Sequence, residues 1–120
     1  MFLGSDILVD CAVLMGAQGV VPSISNVIGD WLVEAYDCAV AGQWERSRVL
    51  LERASDMKAM YAVATATSSN FDGFLAGLKG ALELLGVEAG PPAAPIASLD
   101  ADQQRTMEKL LRDGGVLAQI

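Results

Sequence analysis

The chain opens with short apolar segments separated by breaking residues. Met1-Phe2-Leu3 is apolar, and Gly4-Ser5-Asp6 interrupts it. From Ile7 to Met15 the chain is apolar again, with Ile7, Leu8, Cys11, Val13, Leu14 and Met15 nearly encircling a helix. Gly16-Ala17-Gln18-Gly19 breaks that segment, Val20-Val21 is β-branched, and Pro22-Ser23-Ile24-Ser25-Asn26 turns the chain once more. The pattern predicts strand, helix, strand, which is a βαβ crossover and therefore a parallel pair. Ser5 or Asp6 is expected to cap the helix and Gly16 to end it. Parallel strands need cover on both faces and neighbours on both edges. The rest of the chain offers one more strand at most, so the segment reads as the end of a larger sheet.

Downstream the period becomes helical. Leu32, Val33, Tyr36, Ala39 and Val40 predict a helix from Gly29-Asp30 to Val40. Ala41-Gly42-Gln43 is a short connection, and Trp44 opens a long helix predicted to run to Ala66. Val49, Leu50, Met57, Met60, Tyr61 and Ala64 are its expected buried stripe, and it is expected to fray over the polar residues 65–70. Phe71 to Leu85 predicts another helix, ended by Gly86. Gly73, Gly77 and Gly80 let that helix approach a neighbour closely, each weakening it by up to about 1 kcal/mol. Gly90-Pro91-Pro92-Ala93-Ala94-Pro95 reads as a stiff extended connector. Asp100 with Gln103 forms a capping-box pair that opens a last helix to Asp113, stopped by Gly114-Gly115.

Composition narrows the function classes. A chain of 120 residues that is 52% hydrophobic can build one modest core. A formal net charge of −7 disfavours phosphate backbones and anionic membrane surfaces, so neither nucleic acid nor membrane is an expected partner. The apolar run from Ile7 to Ile28 lacks a basic flank and carries Asp6 and Asp10. A central Asp costs roughly 2.5–3.5 kcal/mol on the insertion scale, so a membrane span is not expected. Cys11 and Cys38 read as small buried hydrophobes in a reducing, cytoplasmic setting. With no histidine in the chain, neither the cysteines nor Asp6 with Asp10 makes a metal site. Asp100 and Asp102 mark a helix start. Gly16 to Gly19 precedes a strand instead of following one, which excludes a dinucleotide fingerprint. Trp31 and Trp44 are expected as core or interface anchors, and Tyr36 and Tyr61 as packing residues.

The order of these motifs resembles the dihydrodipicolinate synthase/N-acetylneuraminate lyase family. The residues that carry the likeness are Gly4-Ser5-Asp6, the run Gly16 to Val21, Ser25-Asn26, and Ala41-Gly42-Gln43-Trp44-Glu45. Gly77-Leu78-Lys79, Leu84-Leu85-Gly86 and the proline connector before a final helix continue it. The resemblance implies an α/β parent fold, a (β/α)8 TIM barrel with a helical C-terminal extension. It implies that residues 1–41 are the C-terminal end of the barrel, strands seven and eight with their helices, and that residues 42–120 are the extension.

The same resemblance implies class I, Schiff-base chemistry on pyruvate or another 2-keto acid, with no cofactor. Such chemistry needs a lysine amine held neutral near pH 7 and a proton relay. In family members the carboxylate-binding threonines, the relay tyrosine and the imine lysine lie earlier than the matched region. Lys58, Lys79 and Lys109 are the only lysines here, and all fall on predicted helices outside the barrel. No catalytic residue is therefore assigned, and the chain alone is expected to be inactive. Barrel sites lie at the C-terminal ends of the strands. There Gly4 would let backbone approach substrate, Val21 would turn its carbonyl to the imine site, and Ser5 and Ser23 would offer hydroxyls to the substrate tail. In this chain alone these residues also fit ordinary turn chemistry. Pro22 departs from the small polar residue common in the family, and alanines replace an arginine often found beside the connector prolines. Expected partners are a second copy of the chain or an upstream half-barrel chain. The alternatives are a non-catalytic helical interaction or oligomerisation module, and one subunit of a split aldolase.

Overall fold

The structure, a computed structural model, describes residues 1–64 and 70–118, with the backbone alone at Asn70. The chain forms two compact units, Met1–Asp56 and Met57–Ile120.

The first unit is built on the expected crossover. Strand β1 is Phe2–Leu3, helix α1 is Val9–Leu14 and strand β2 is Gly19–Val20. β1 and β2 pair in parallel, with Phe2 opposite Gly19 and Leu3 opposite Val20. The ladder extends beyond both strands, because Gln18 N–H donates to the Met1 carbonyl at 2.9 Å and Val21 N–H to the Leu3 carbonyl at 2.8 Å. Gly16 ends the helical turn at φ +74°, a conformation that costs an L side chain energy and glycine none. The expected side-chain cap at the other end of α1 does not form. Leu8 holds the capping position, and no side chain accepts from the first turn. Ser5 and Asp6 lie too early in the chain for that role and bond elsewhere.

Helix α2 spans Ser25–Val40, so it starts earlier than the periodicity predicted. Local turn bonds supply its first turn: Ser25 Oγ donates to the Pro22 carbonyl at 2.5 Å, and Asn26 Nδ2 to the Ser23 carbonyl at 2.8 Å. The regular helix resumes after a break at Ile28 (φ −127°, ψ 41°), next to the predicted start at Gly29. α1 packs on α2, burying Val9 and Ala12 of the one and Ile28, Leu32, Ala35, Cys38 and Ala39 of the other. Cys38 is buried as expected, but Cys11 is exposed, because it faces away from α2. Both thiols are free.

Helix α3, Trp44–Met57, follows the short Ala41-Gly42-Gln43 connection. Ser47 is fully buried, and its hydroxyl donates to the Ala35 carbonyl at 2.8 Å, pinning α3 to α2. Leu50 is buried, whereas Val49 is 57% exposed and is not part of the stripe. One residue is about 100° on a helix, enough to move Val49 off the packed face. Trp44 is 40% exposed and so is not a core residue. Trp31 lies under the Arg53 guanidinium, 4.0 Å from the ring centroid, a cation–π contact.

The second unit is helical. The long helix predicted from Trp44 gives way at Lys58–Ala62 to a 3-10 helix. Its predicted end at Ala66, and the fraying over 65–70, lie outside the described residues. Helix α4 spans Asn70–Leu84 and helix α5 Ala101–Asp113, both near their predicted bounds. Asp100 and Gln103 form the predicted capping box, with bonds of 2.8 Å and 2.9 Å. Met60, Ala64, Ala76, Ala81, Leu99, Met107 and Leu111 are the buried centre. Tyr61 packs on Phe74 with the rings tilted at 54° and 4.6 Å between centroids, consistent with a packing role. No helix among the described residues is long and apolar enough to cross a membrane.

Gly77 is where α4 meets the 3-10 helix, and a Cβ there would run into the Met60 carbonyl, well inside contact distance. Gly29 has nothing within 4 Å of the same position and no positive φ. Gly77→Ala is expected to lose about 1–3 kcal/mol of stability through overpacking against backbone, more than helix propensity returns. Gly29→Ala is expected to gain up to about 1 kcal/mol. Urea midpoints of the two variants check both signs.

Candidate functional site

The C-terminal ends of β1 and β2 carry the expected site residues on two adjacent loops, residues 4–8 after β1 and residues 21–24 after β2. Parallel pairing puts both loops at one end of the sheet. There Gly4 faces the Val21 carbonyl, which would lie 4.0 Å from a Cβ at Gly4. Gly4 and Val21 are exposed, while Ser5 and Ser23 are half-buried. The structure thus brings Gly4, Ser5, Val21 and Ser23 to one edge of the fold. Pro22 between them is buried and offers no N–H to this edge.

Asp6 is the residue that the sequence pattern misplaced. Its Oδ1 accepts from Ile24 N–H at 3.1 Å, joining the first loop to the second. Ile24 is fully buried, so this bond satisfies an amide that water cannot reach. Nothing local signals it, because Asp6 and Ile24 are 18 residues apart and meet only once the strands are paired. Ser5 Oγ accepts from Ile7 N–H at 3.5 Å, a long contact within its own loop.

Other titratable groups lie elsewhere. Tyr36 Oη donates to the Gln18 carbonyl at 3.3 Å, at the start of β2 and so at the opposite end of the sheet from the loops. An open groove of ≈ 290 Å³ between β2 and α2, lined by Val20, Pro22, Leu32 and Tyr36, is mainly apolar. Lys58 lies in the 3-10 helix, Lys79 on α4 and Lys109 on α5, none of them on a strand or on the two loops. Lys109 donates to Asp113 Oδ2 at 2.5 Å. That hydrogen bond, with the carboxylate's charge, holds its pKa above the ordinary lysine value, opposite to what an imine-forming amine requires. Among the described residues no group of His, Cys, Asp and Glu could hold a metal ion.

The model of the dihydrodipicolinate synthetase family matches residues 1–113. The chain belongs to that family. It is 32% identical over 114 residues to a DapA-like lyase of Halobacterium salinarum, a match covering 95% of this chain and 35% of that protein. It is 32% identical over 101 residues to the 4-hydroxy-tetrahydrodipicolinate synthase of Desulfotalea psychrophila, covering 82% of this chain and 31% of that one. Among solved structures, dihydrodipicolinate synthase from Bacteroides thetaiotaomicron superposes with a TM-score of 0.84 at 30% identity. That superposition covers 94% of this chain and 37% of the other. A Sulfolobus solfataricus 2-keto-3-deoxygluconate aldolase variant gives 0.74 at 20% identity, covering 98% and 40%, a likeness of fold alone. The chain therefore spans about a third of the length of the relatives it matches. Its strands and helices superpose on part of a dihydrodipicolinate synthase, and the described residues carry a two-stranded parallel sheet.

In this member of the dihydrodipicolinate synthetase family the two loops hold their places through Asp6. Asp6→Ala leaves the Ile24 amide buried without this acceptor and is expected to cost about 1–3 kcal/mol. Asp6→Asn keeps an oxygen in place and is expected to cost less. Denaturant unfolding orders the two variants, and hydrogen exchange at Ile24 reports the bond itself.

Proposed function

We propose that this chain furnishes the seventh and eighth strands of a Schiff-base, pyruvate-dependent aldolase or hydro-lyase, residues 1–41, with its helical C-terminal extension, residues 42–120. On this reading the chain does no chemistry alone. What supports it is the paired loop edge: Gly4, Ser5, Val21 and Ser23 lie on two loops at the C-terminal ends of parallel strands, the end that barrel enzymes use for substrate, and no lysine stands on either strand or loop. Gly4 and the Val21 carbonyl line the wall beside a bound 2-keto acid, and Ser5 and Ser23 face its tail.

The partner follows from the uncovered apolar surface. Phe2 (67% exposed), Leu14 (69%), Met15 (72%) and Val21 (68%) surround the crossover. Exposed apolar side chains of this size fit association, with the preceding strands of a barrel or with a second copy of the chain. The free thiols of Cys11 and Cys38 fit the cytoplasm.

Incubation of the purified chain with pyruvate and borohydride, followed by intact mass, tests the reading. The expected result is an unmodified chain. A stoichiometric adduct on Lys58, Lys79 or Lys109, abolished by substituting that lysine, overturns it.

A further inference from the structure

Residues 87–98 connect α4 to α5 without regular structure. The connection is fixed firmly at its ends. At one end Val87 N–H donates to the Leu82 carbonyl at 3.0 Å. At the other, Leu99 is buried against Gly80, Gln104 Nε2 donates to the Leu99 carbonyl at 3.1 Å, and the capping box follows. Between these anchors the backbone bonds are local: Ala89 N–H to the Val87 carbonyl at 2.7 Å and Ile96 N–H to the Ala93 carbonyl at 3.0 Å. Pro91, Pro92 and Pro95 have no N–H to give.

A single side chain spans the gap. Lys79 Nζ, from α4, donates to the Ala89 carbonyl at 2.9 Å, the Pro91 carbonyl at 3.3 Å and the Gly90 carbonyl at 3.5 Å. An ammonium has three donors, and here all of them go to consecutive carbonyls of the connection. Among the described residues these are the only hydrogen bonds that tie residues 89–95 to a helix. Beneath lies a cavity of ≈ 220 Å³ bounded by Ala76, Gly80, Leu84, Pro92 and Leu99, with Glu83 also in its lining.

We propose that residues 89–95 are a strap over the cavity between α4 and α5, latched by the Lys79 ammonium, and that removing this ammonium opens the strap while the helices beneath stay folded. Three proline rings keep the strap stiff, so it swings as a piece about its two anchors. Charge-assisted bonds to carbonyls are stronger than neutral ones, and the strap has no second tie to replace them.

Site-resolved proteolysis of the full chain tests the latch. Glutamyl endopeptidase cuts after Glu88, at the base of the strap, and also after Glu83 on α4 and Glu108 on α5. Cleavage requires a locally opened segment. In Lys79→Met the cut after Glu88, followed by intact mass, is expected to be faster by about tenfold or more, with the cuts after Glu83 and Glu108 unchanged. Equal rates after Glu88 in Lys79→Met and the unaltered chain overturn the proposal. So does acceleration at all three sites together, which would make Lys79 a general support of the fold.

Discussion

Parallel pairing of β1 with β2 brings together residues that the chain keeps far apart. A parallel pair cannot be closed by a hairpin, so a crossover must carry the chain back to the same end of the sheet. That crossover is α1, and it places the loop after Leu3 beside the loop after Val20. Once the Val21 amide reaches the Leu3 carbonyl, Asp6 can reach Ile24, and Gly4 comes to face the Val21 carbonyl. Around the pair some apolar side chains stay in water. Side chains such as Phe2, Leu14 and Met15 forgo most of the roughly 1.5–3 kcal/mol that full burial of each would contribute. The unit is held instead on its helical side, by Val9 and Ala12 against α2 and by the buried Ser47 bond between α3 and α2.

The helical unit rests on close approach. Glycine at 77, 80 and 114 makes room for the Met60 backbone, the Leu99 side chain and the Met57 thioether respectively. A glycine within a helix sacrifices local propensity, and here the loss is offset by contacts that any larger residue would prevent. The unbranched methionines at 57, 60 and 107 fill the irregular space between such helices.

These two constructions bear differently on chemistry. The paired loops carry backbone groups and hydroxyls but no amine side chain. The lysines belong to the helical unit. There Lys79 spends its donors on the connector, and Lys109 is tied to a carboxylate that favours its charged form. Membership of the dihydrodipicolinate synthetase family is therefore compatible with loops that carry no lysine.

Much of this was readable from the chain itself. The breaks at Gly4, Gly16 and Pro22, the capping box at Asp100 and the glycines at 77 and 80 depend on residues a few positions apart, so local pattern reports them. Gly16 at positive φ and the bonds between Asp100 and Gln103 are as expected. The start of α2, the burial of Val49 and Cys11 and the capping of α1 came out differently, because each turns on which face a neighbouring element covers. The role of Asp6 is the clearest case. Its spacing suits a helix cap, but a buried amide 18 residues away competes for the same oxygen and takes it. Sequence alone determined the order and type of the strands and helices, most of their bounds, and which family the chain resembles, but not the end of α3 at Met57 or the start of α2 at Ser25. Tertiary structure decided which polar atoms meet, since a hydrogen bond between distant segments exists only after packing has excluded water from around it.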